Sequence, residues 1–268
     1  MYENVIVPFD GTGTGRTALA PAADLAWRCG ARIVIVNNTD ASDKASREAI
    51  KGKAMTLSGA DVDFWVDLDH SLGVALVEAA KFRGRPILCI SVKGKQGGLL
   101  RSKRWSLPQL ADDVLRTSPV PVLVIGQETD ISRGLPMTEI VAATDGSAAS
   151  EDILPIAVGW ARDLKLKFTL VGVVHADADD VSGEEDYLAK HVAGLRSQVP
   201  EARYELVRAA DPATGLIEFM DRHDDAVLAM TTHGRSGTGK GALGSVAEKV
   251  LAGSKRAVLL HRPSARAT

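Results

Sequence analysis

The segment of this chain best suited to chemistry runs from Ala229 to Val246 and reads Ala-Met-Thr-Thr-His-Gly-Arg-Ser-Gly-Thr-Gly-Lys-Gly-Ala-Leu-Gly-Ser-Val. It follows an apolar, strand-like run, is dense in glycine, and ends where a helical pattern begins. Glycines let backbone N–H groups approach an anion closely, and a helix N-terminus adds unpaired N–H groups and positive potential. The chemistry this favours is phosphate binding, with Ser245 placed both to cap the helix and to donate to a phosphate. Glycine richness alone reads more simply as a surface loop with a serine cap, so a second feature has to decide. Asp145 supplies one. The run Ile140-Val141-Ala142-Ala143-Thr144 ends in Asp145-Gly146-Ser147, which sets a carboxylate at the C-terminal end of a strand. Asp-Gly in isolation is turn chemistry, and its pairing with the glycine segment is what points to function.

The elements that must position these residues occur twice. Asn4-Val5-Ile6-Val7-Pro8-Phe9-Asp10-Gly11 has the shape of the run ending at Asp145-Gly146, and the two aspartates are 135 positions apart. Downstream, Ala111–Ser118 matches Ala247–Ser254 at an offset of 136, and each is followed by a strand-like run, Val122–Val124 and Val258–Leu260. An offset held to one residue over so long a stretch is the signature of duplication. Each copy alternates strands and helices; in the second these are Ile140–Ala143, Ile153–Leu164, Phe168–Val174, Tyr187–Gln198, Tyr204–Ala209, Ala213–Arg222, Ala226–Met230, Val246–Ala252 and Ala257–His261. Such alternation predicts an α/β fold: two tandem copies of a five-stranded, parallel, doubly wound, Rossmann-like domain. The expected boundaries are 1–126 and 138–268, joined by a linker over 127–137 that contains Gly134 and Pro136.

In the second copy, Gly234, nine further residues and Gly244-Ser245 resemble the phosphate motif of the universal stress protein family, as do the flanking Thr-His-Gly-Arg-Ser-Gly and Gly-Ser-Val-Ala-Glu-Lys-Val-Leu. Asp145-Gly146-Ser147 and the doubled organisation fit the same family, whose domains are of the adenine nucleotide alpha hydrolase-like type. The resemblance implies that Asp145 faces the ribose or base and that Val173 contacts adenine. It implies that Gly234, Gly244, Ser245 and Val246 hold phosphates, mainly through backbone N–H groups, with His233 and Arg235 bordering them. The cofactor expected is ATP, or AMP or ADP, with Mg2+ carried on the phosphates. One departure stands out: the motif's first glycine is Thr231, a β-branched residue that narrows backbone approach and weakens binding without abolishing it. No catalytic residue and no protein-held metal site are nominated. In the family the fifth strands mediate pairing, which implies an internal pseudo-dimer across Val122–Val124 and Val258–Leu260, and a homodimer as a further assembly.

The first copy has lost these features. Asp10 is kept, but Pro108-Gln109 stands where Gly-Ser belongs, and proline has no N–H to offer a phosphate. Asn38 takes the adenine-contact position, so no nucleotide site is expected there. Its longer loop carries Lys93, Lys95, Arg101, Lys103, Arg104 and then Trp105, read as a solvated basic loop in preference to a grip on an anion, a nucleic acid or a partner protein. Gly234–Gly241 nearly spells a P-loop, but Gly241 replaces the magnesium-binding Ser or Thr. Gly11-Thr12-Gly13-Thr14-Gly15-Arg16 nearly spells a dinucleotide fingerprint, but Arg16 occupies its last glycine position, and a glycine-rich turn accounts for it. The acidic stretch Asp177–Asp180 lacks the glycine and glutamate of a calcium loop and reads as solvated.

Composition closes off other classes. The chain has 268 residues, 45% apolar and 25% charged, with a net charge of −2, so no global basic field argues for nucleic acid or a membrane. Two cysteines make no disulfide framework, and with neither a signal-like start nor a long apolar run a cytoplasmic location is expected. The function these features predict is nucleotide-dependent regulation, in which occupancy of the second copy changes a surface that a stress-response partner protein reads. A slow ATPase and a nucleotide-free interaction protein are the alternatives.

Overall fold

The computed structural model describes residues 1–9, 13–38, 59–92, 107–131, 134–235 and 243–263, with residues 48, 52 and 55 between them. Asp10 and the basic loop from Lys93 to Trp105 lie outside the described residues. The first half comprises β1 (Asn4–Pro8), α1 (Gly13–Cys29), β2 (Arg32–Asn37), β3 (Val62–Val66), α2 (Leu72–Lys81), β4 (Pro86–Ser91), α3 (Gln109–Thr117) and β5 (Val122–Ile125). The second comprises β6 (Glu139–Ala143), α4 (Ala148–Glu151), α5 (Leu154–Leu164), β7 (Lys167–His175), α6 (Ser182–Leu195), β8 (Arg203–Ala209), α7 (Pro212–Asp221), β9 (Ala226–Thr231), α8 (Ser245–Gly253) and β10 (Val258–His261).

All ten strands form one sheet, in the order β3-β2-β1-β4-β5-β10-β9-β6-β7-β8. Each half therefore repeats one order, with its first strand between its second and fourth. Neighbours run parallel within each half, and β5 meets β10 antiparallel with Leu123 opposite Leu259. Apolar runs such as Val5-Ile6-Val7 and Val227-Leu228-Ala229 suit strands covered on both faces, where residues alternate between two cores. Val5, Val7, Ile140, Ala142 and Leu259 pack on one side with α1, α5 and α6. Ile6, Val141, Leu228, Val258 and Leu260 pack on the other with α2, α3, α7 and α8. Without the β5–β10 pairing each half would present an apolar edge strand, which invites association; the two edges satisfy each other within the chain.

Contacts away from the sheet join the halves further. Trp160 Nε1 donates to the Tyr2 hydroxyl at 3.0 Å, and the N-terminal ammonium lies 3.2 Å from Asp163. The stretch between β5 and β6 is not a loose tether: Leu135 and Met137 are buried, and Leu135 N–H donates to Asp24 at 2.6 Å. Both cysteines are free, and burial pushes the Cys89 thiol up to about 12.

Some element limits differ from the sequence expectation. The helix expected over Tyr187–Gln198 spans Ser182–Leu195, because Glu184 and Glu185 in its first turn complement the helix dipole without any apolar periodicity to announce it. The turn expected after β1 is shorter than the glycine pattern suggests, since α1 already begins at Gly13. Ser147 caps a separate short α4 through the Ser150 N–H, ahead of α5.

At the opposite end of the sheet from Asp145, Glu139 is buried at 7% exposure yet fully partnered. Its carboxylate accepts from Thr169 Oγ1 at 2.5 Å and from Arg203 at 3.0 Å, and lies 2.8 Å from His223 Nδ1. Burial works to raise its pKa, but the hydrogen bonds from Thr169, His223 and Arg203 outweigh it and hold the carboxyl below its ordinary range. A lowered folded-state value means stability that is full above the unfolded glutamate value of about 4.3 and is lost as pH falls through the folded one. Glu139→Gln is accordingly expected to flatten the acid limb of a plot of Tm against pH, with a loss of about 1–3 kcal/mol at pH 7; an unchanged acid limb contradicts this assignment.

Candidate functional site

Asp145 follows β6, beside β9, to which β6 pairs in parallel. Its carboxylate reaches across to the β9–α8 connection and accepts from Arg235 N–H at 2.7 Å. The other oxygen accepts from Ser147 N–H at 3.0 Å and Ser147 Oγ at 2.5 Å. Arg235 returns the contact, its guanidinium donating to the Asp145 carbonyl at 2.7 Å. Burial raises the Asp145 pKa, but the Arg235 and Ser147 hydrogen bonds prevail and hold it below the ordinary carboxylate value. The group is a fixed anion at neutral pH.

Gly234 makes this clasp feasible. A Cβ at that position would fall on the Asp145 carboxylate. Gly146, at φ +76°, turns the chain after Asp145 and leaves the Arg235 guanidinium room to approach. Gly234→Ala is expected to push Asp145 off Arg235 and lower stability by about 1–2 kcal/mol, on the scale of one lost hydrogen bond to a charged group. Urea denaturation checks it; a wild-type midpoint would show that the clasp does not depend on glycine.

A cavity of about 540 Å³ opens beside the clasp. That volume lies in the range of small-molecule sites. Thr144, Asp145, Gly146 and Arg235 form one wall, and Val173 with Leu206 and Leu188 an apolar one. Tyr187 and Glu184 come from α6. Thr144 Oγ1 lies 2.8 Å from Ser150 Oγ and 3.2 Å from the Tyr187 hydroxyl, which donates to Glu151 at 2.9 Å. Burial pushes the Tyr187 phenol up to about 12, so it stays protonated. Thr144, Tyr187, Leu206 and Glu184 were not visible as site residues in the sequence: they sit on separate elements, and only parallel pairing of β6, β7 and β8 gathers them. The late start expected for α6 also hid Glu184.

Of the sequence candidates, Asp145, Val173 and Arg235 line the cavity. Gly234 is joined to them through its approach to Asp145. His233, Gly244, Ser245 and Val246 lie farther along the β9–α8 connection, whose residues 236–242, including the near P-loop's Gly241, lie outside the described residues. Two expectations need correction. Ser245 does not cap α8; Gly244 occupies the cap and Ser245 is the first helical residue. The Gly244 N–H, expected to face a phosphate, is donated to the Thr232 carbonyl at 2.7 Å, which pins the helix start to the end of β9. Helix geometry leaves the N–H groups of Ser245, Val246 and Ala247 without intrahelical partners, and these are the donors aimed outward. Thr231, at 4% exposure, uses its hydroxyl to hold the His233 carbonyl at 2.8 Å, so the non-glycine residue secures the turn. Burial, with Arg262 nearby, keeps the His233 pKa below its usual value.

In the first half, Pro108 stands at the N-cap of α3, the place Gly244 has at α8, and offers no N–H. Asn38 is partly buried after β2. Asp177 is exposed, and Asp180 accepts from Ser182 N–H at 2.9 Å at the start of α6. Among the described residues no three His, Cys, Asp or Glu side chains group to hold a metal, and no helix is long and apolar enough to cross a membrane.

Residues 137–262, the half that holds the Asp145 clasp, match the family model of the universal stress protein family. This half is thus similar to the universal stress proteins. A universal stress protein of Mycobacterium tuberculosis is 29% identical over 185 residues, which cover 62% of this chain and 60% of that one. The chain thus spans about 60% of the length of the curated relatives it matches. The crystal structure of a universal stress protein from Archaeoglobus fulgidus superposes over 97% of this chain and 98% of its own, with a TM-score of 0.67 and 16% identity, and so shares the fold of both halves. The cytoplasmic domain of a prokaryotic cation chloride cotransporter also superposes over 97% of this chain and 95% of its own, at a TM-score of 0.58 and 11% identity. A universal stress protein fold is therefore compatible with more than one role, and function has to be argued from the site.

Proposed function

We propose that the second universal stress protein domain binds an adenine nucleotide, ATP or its mono- or diphosphate, and that occupancy is the signal a stress-response partner protein reads. The observation that carries this reading is the Asp145–Arg235 clasp across the β6–β9 junction. In a doubly wound sheet the crevice beyond the strand C-termini is where ligands settle, and the clasp borders a cavity of suitable size there. Val173, Leu206 and Leu188 offer the apolar wall an adenine ring requires, and Thr144 and Asp145 offer polar groups at its edge. His233, Gly234, Ser245 and Val246 lead from there toward the outward N–H groups of α8, where phosphates would lie and bring Mg2+ with them. Gly244 contributes by close approach, since its own N–H is already engaged. Binding is the function; the chain's residues supply positioning and no nominated catalyst.

In this reading the first domain, residues 1–126, is a structural or regulatory partner without a nucleotide, joined through 127–137 to the second domain, 138–268. The β5–β10 seam serves as the internal pseudo-dimer, and a homodimer of two chains is the further assembly this reading proposes. Calorimetric titration of the purified chain with ATP and with GTP tests the proposal. Saturable, exothermic binding of ATP in preference to GTP is expected; no heat with ATP, ADP or AMP overturns it in favour of a nucleotide-free interaction protein.

A further inference from the structure

Arg262 immediately follows β10, at the end of the sheet where Asp145 lies. Among the described residues its buried Nη1 has no hydrogen-bond partner, and no salt bridge to its guanidinium is described. A buried, unpaired guanidinium nitrogen is unfavourable and calls for an anionic acceptor. The backbone fixes its neighbourhood. His261 pairs with Thr231, and the His261 carbonyl accepts Thr232 N–H at 2.9 Å, so Arg262 comes beside Thr232 and His233. Its charge reaches the His233 ring. Gly244 closes the same corner by donating to Thr232 at 2.7 Å, with its Cβ direction 3.8 Å from His233 Cδ2. The other half offers a comparison. At the 136-residue offset, Arg262 corresponds to Gly126, and Gly244 to Pro108. The half with proline at its helix cap has also lost the arginine.

We infer that Arg262 is a phosphate-binding residue of this site, its guanidinium donating hydrogen bonds to the phosphate oxygens of a nucleotide or of free inorganic polyphosphate. The forked donors of arginine match phosphate geometry and strengthen once removed from water. The inference deepens the nucleotide reading, yet depends on it only for the base and not for the phosphate. Three probes separate the two: adenosine, ATP and inorganic tripolyphosphate, each titrated calorimetrically into the wild-type chain, Arg262→Gln and Arg262→Lys. Arg262→Gln is expected to weaken ATP and tripolyphosphate at least tenfold and to leave adenosine within twofold, while Arg262→Lys recovers part of the loss. Arg262-dependent tripolyphosphate binding without any adenosine binding would sink the adenine reading and leave the phosphate site standing. Equal weakening of adenosine and ATP would assign Arg262 to packing and overturn the inference, as would ATP and tripolyphosphate affinities that ignore the substitution or a wild-type chain that binds neither. Thermal unfolding of each variant confirms that the comparison is made on folded protein.

Discussion

Asp145→Ala is expected to lower ATP affinity on the order of a hundredfold while leaving the chain folded. The carboxylate accepts from Arg235 N–H, Ser147 N–H and Ser147 Oγ, and it is the only side chain described that bonds to the backbone of the Gly234–Arg235 turn. Hydrogen bonds to a charged group contribute about 1.5–3 kcal/mol each, and 1.4 kcal/mol is tenfold in affinity. Loss of the tether to Arg235 alone would therefore release the turn that leads to α8, and loss of the anion would remove a polar wall of the cavity. Asp145→Asn keeps an acceptor and should fall between wild type and alanine. Because the Asp145 pKa is lowered, the carboxylate stays ionised below the ordinary value of about 3.9. Asp145 itself should add no pH dependence to ATP affinity between pH 8 and pH 5. Calorimetry on the three chains checks both statements, and an alanine variant that binds as tightly as wild type would remove Asp145 from the site.

Trp160→Ala is expected to be the most destabilising single change considered, because it strikes where the two halves meet. Trp160 is 1% exposed, packs on the face shared by α1 and α5, and bonds to Tyr2 at the start of the first half. Tyr2 and Trp160 meet edge to face, with centroids 6.2 Å apart. Truncating a buried tryptophan costs about 3–5 kcal/mol. For a chain of this length unfolding in one transition, that is a fall in Tm of about 5–10 °C. Trp160→Phe retains most of the packing but strands the Tyr2 hydroxyl, so about 1–2 kcal/mol is expected. Scanning calorimetry would also register a splitting of the transition if the halves uncouple. A Tm within 2 °C of wild type for the alanine variant would show that this contact does not hold the halves together.

The architecture was legible in the sequence for a physical reason. A strand covered on both faces has to be apolar at nearly every position, and a duplicated chain repeats those runs at a fixed interval. Val5–Val7 and Ile140–Ala142 therefore pointed to the first strand of each half, whereas the strand order was read only from the structure. The Asp145–Gly234 encounter was legible too, because parallel neighbours with crevice-facing ends bring the two turns together. What stayed hidden depends on distances the chain does not display. Glu139 meets Thr169, Arg203 and His223 across 30, 64 and 84 positions, and none of these residues stands out by type. Tyr187 and Glu184 reach the cavity from a helix whose first turn is polar. At α8 the cap was misplaced by one residue, since serine is the better cap by type but Gly244 is the residue whose backbone fits against Thr232.

The central claim is that one half of this chain holds a nucleotide and the other has lost the means to. Native mass spectrometry of the 268-residue chain in excess ATP measures this directly. One adenine nucleotide per chain is expected, lost in Asp145→Ala. Two per chain would contradict the loss of the first site at Pro108, and none would contradict the site at Asp145.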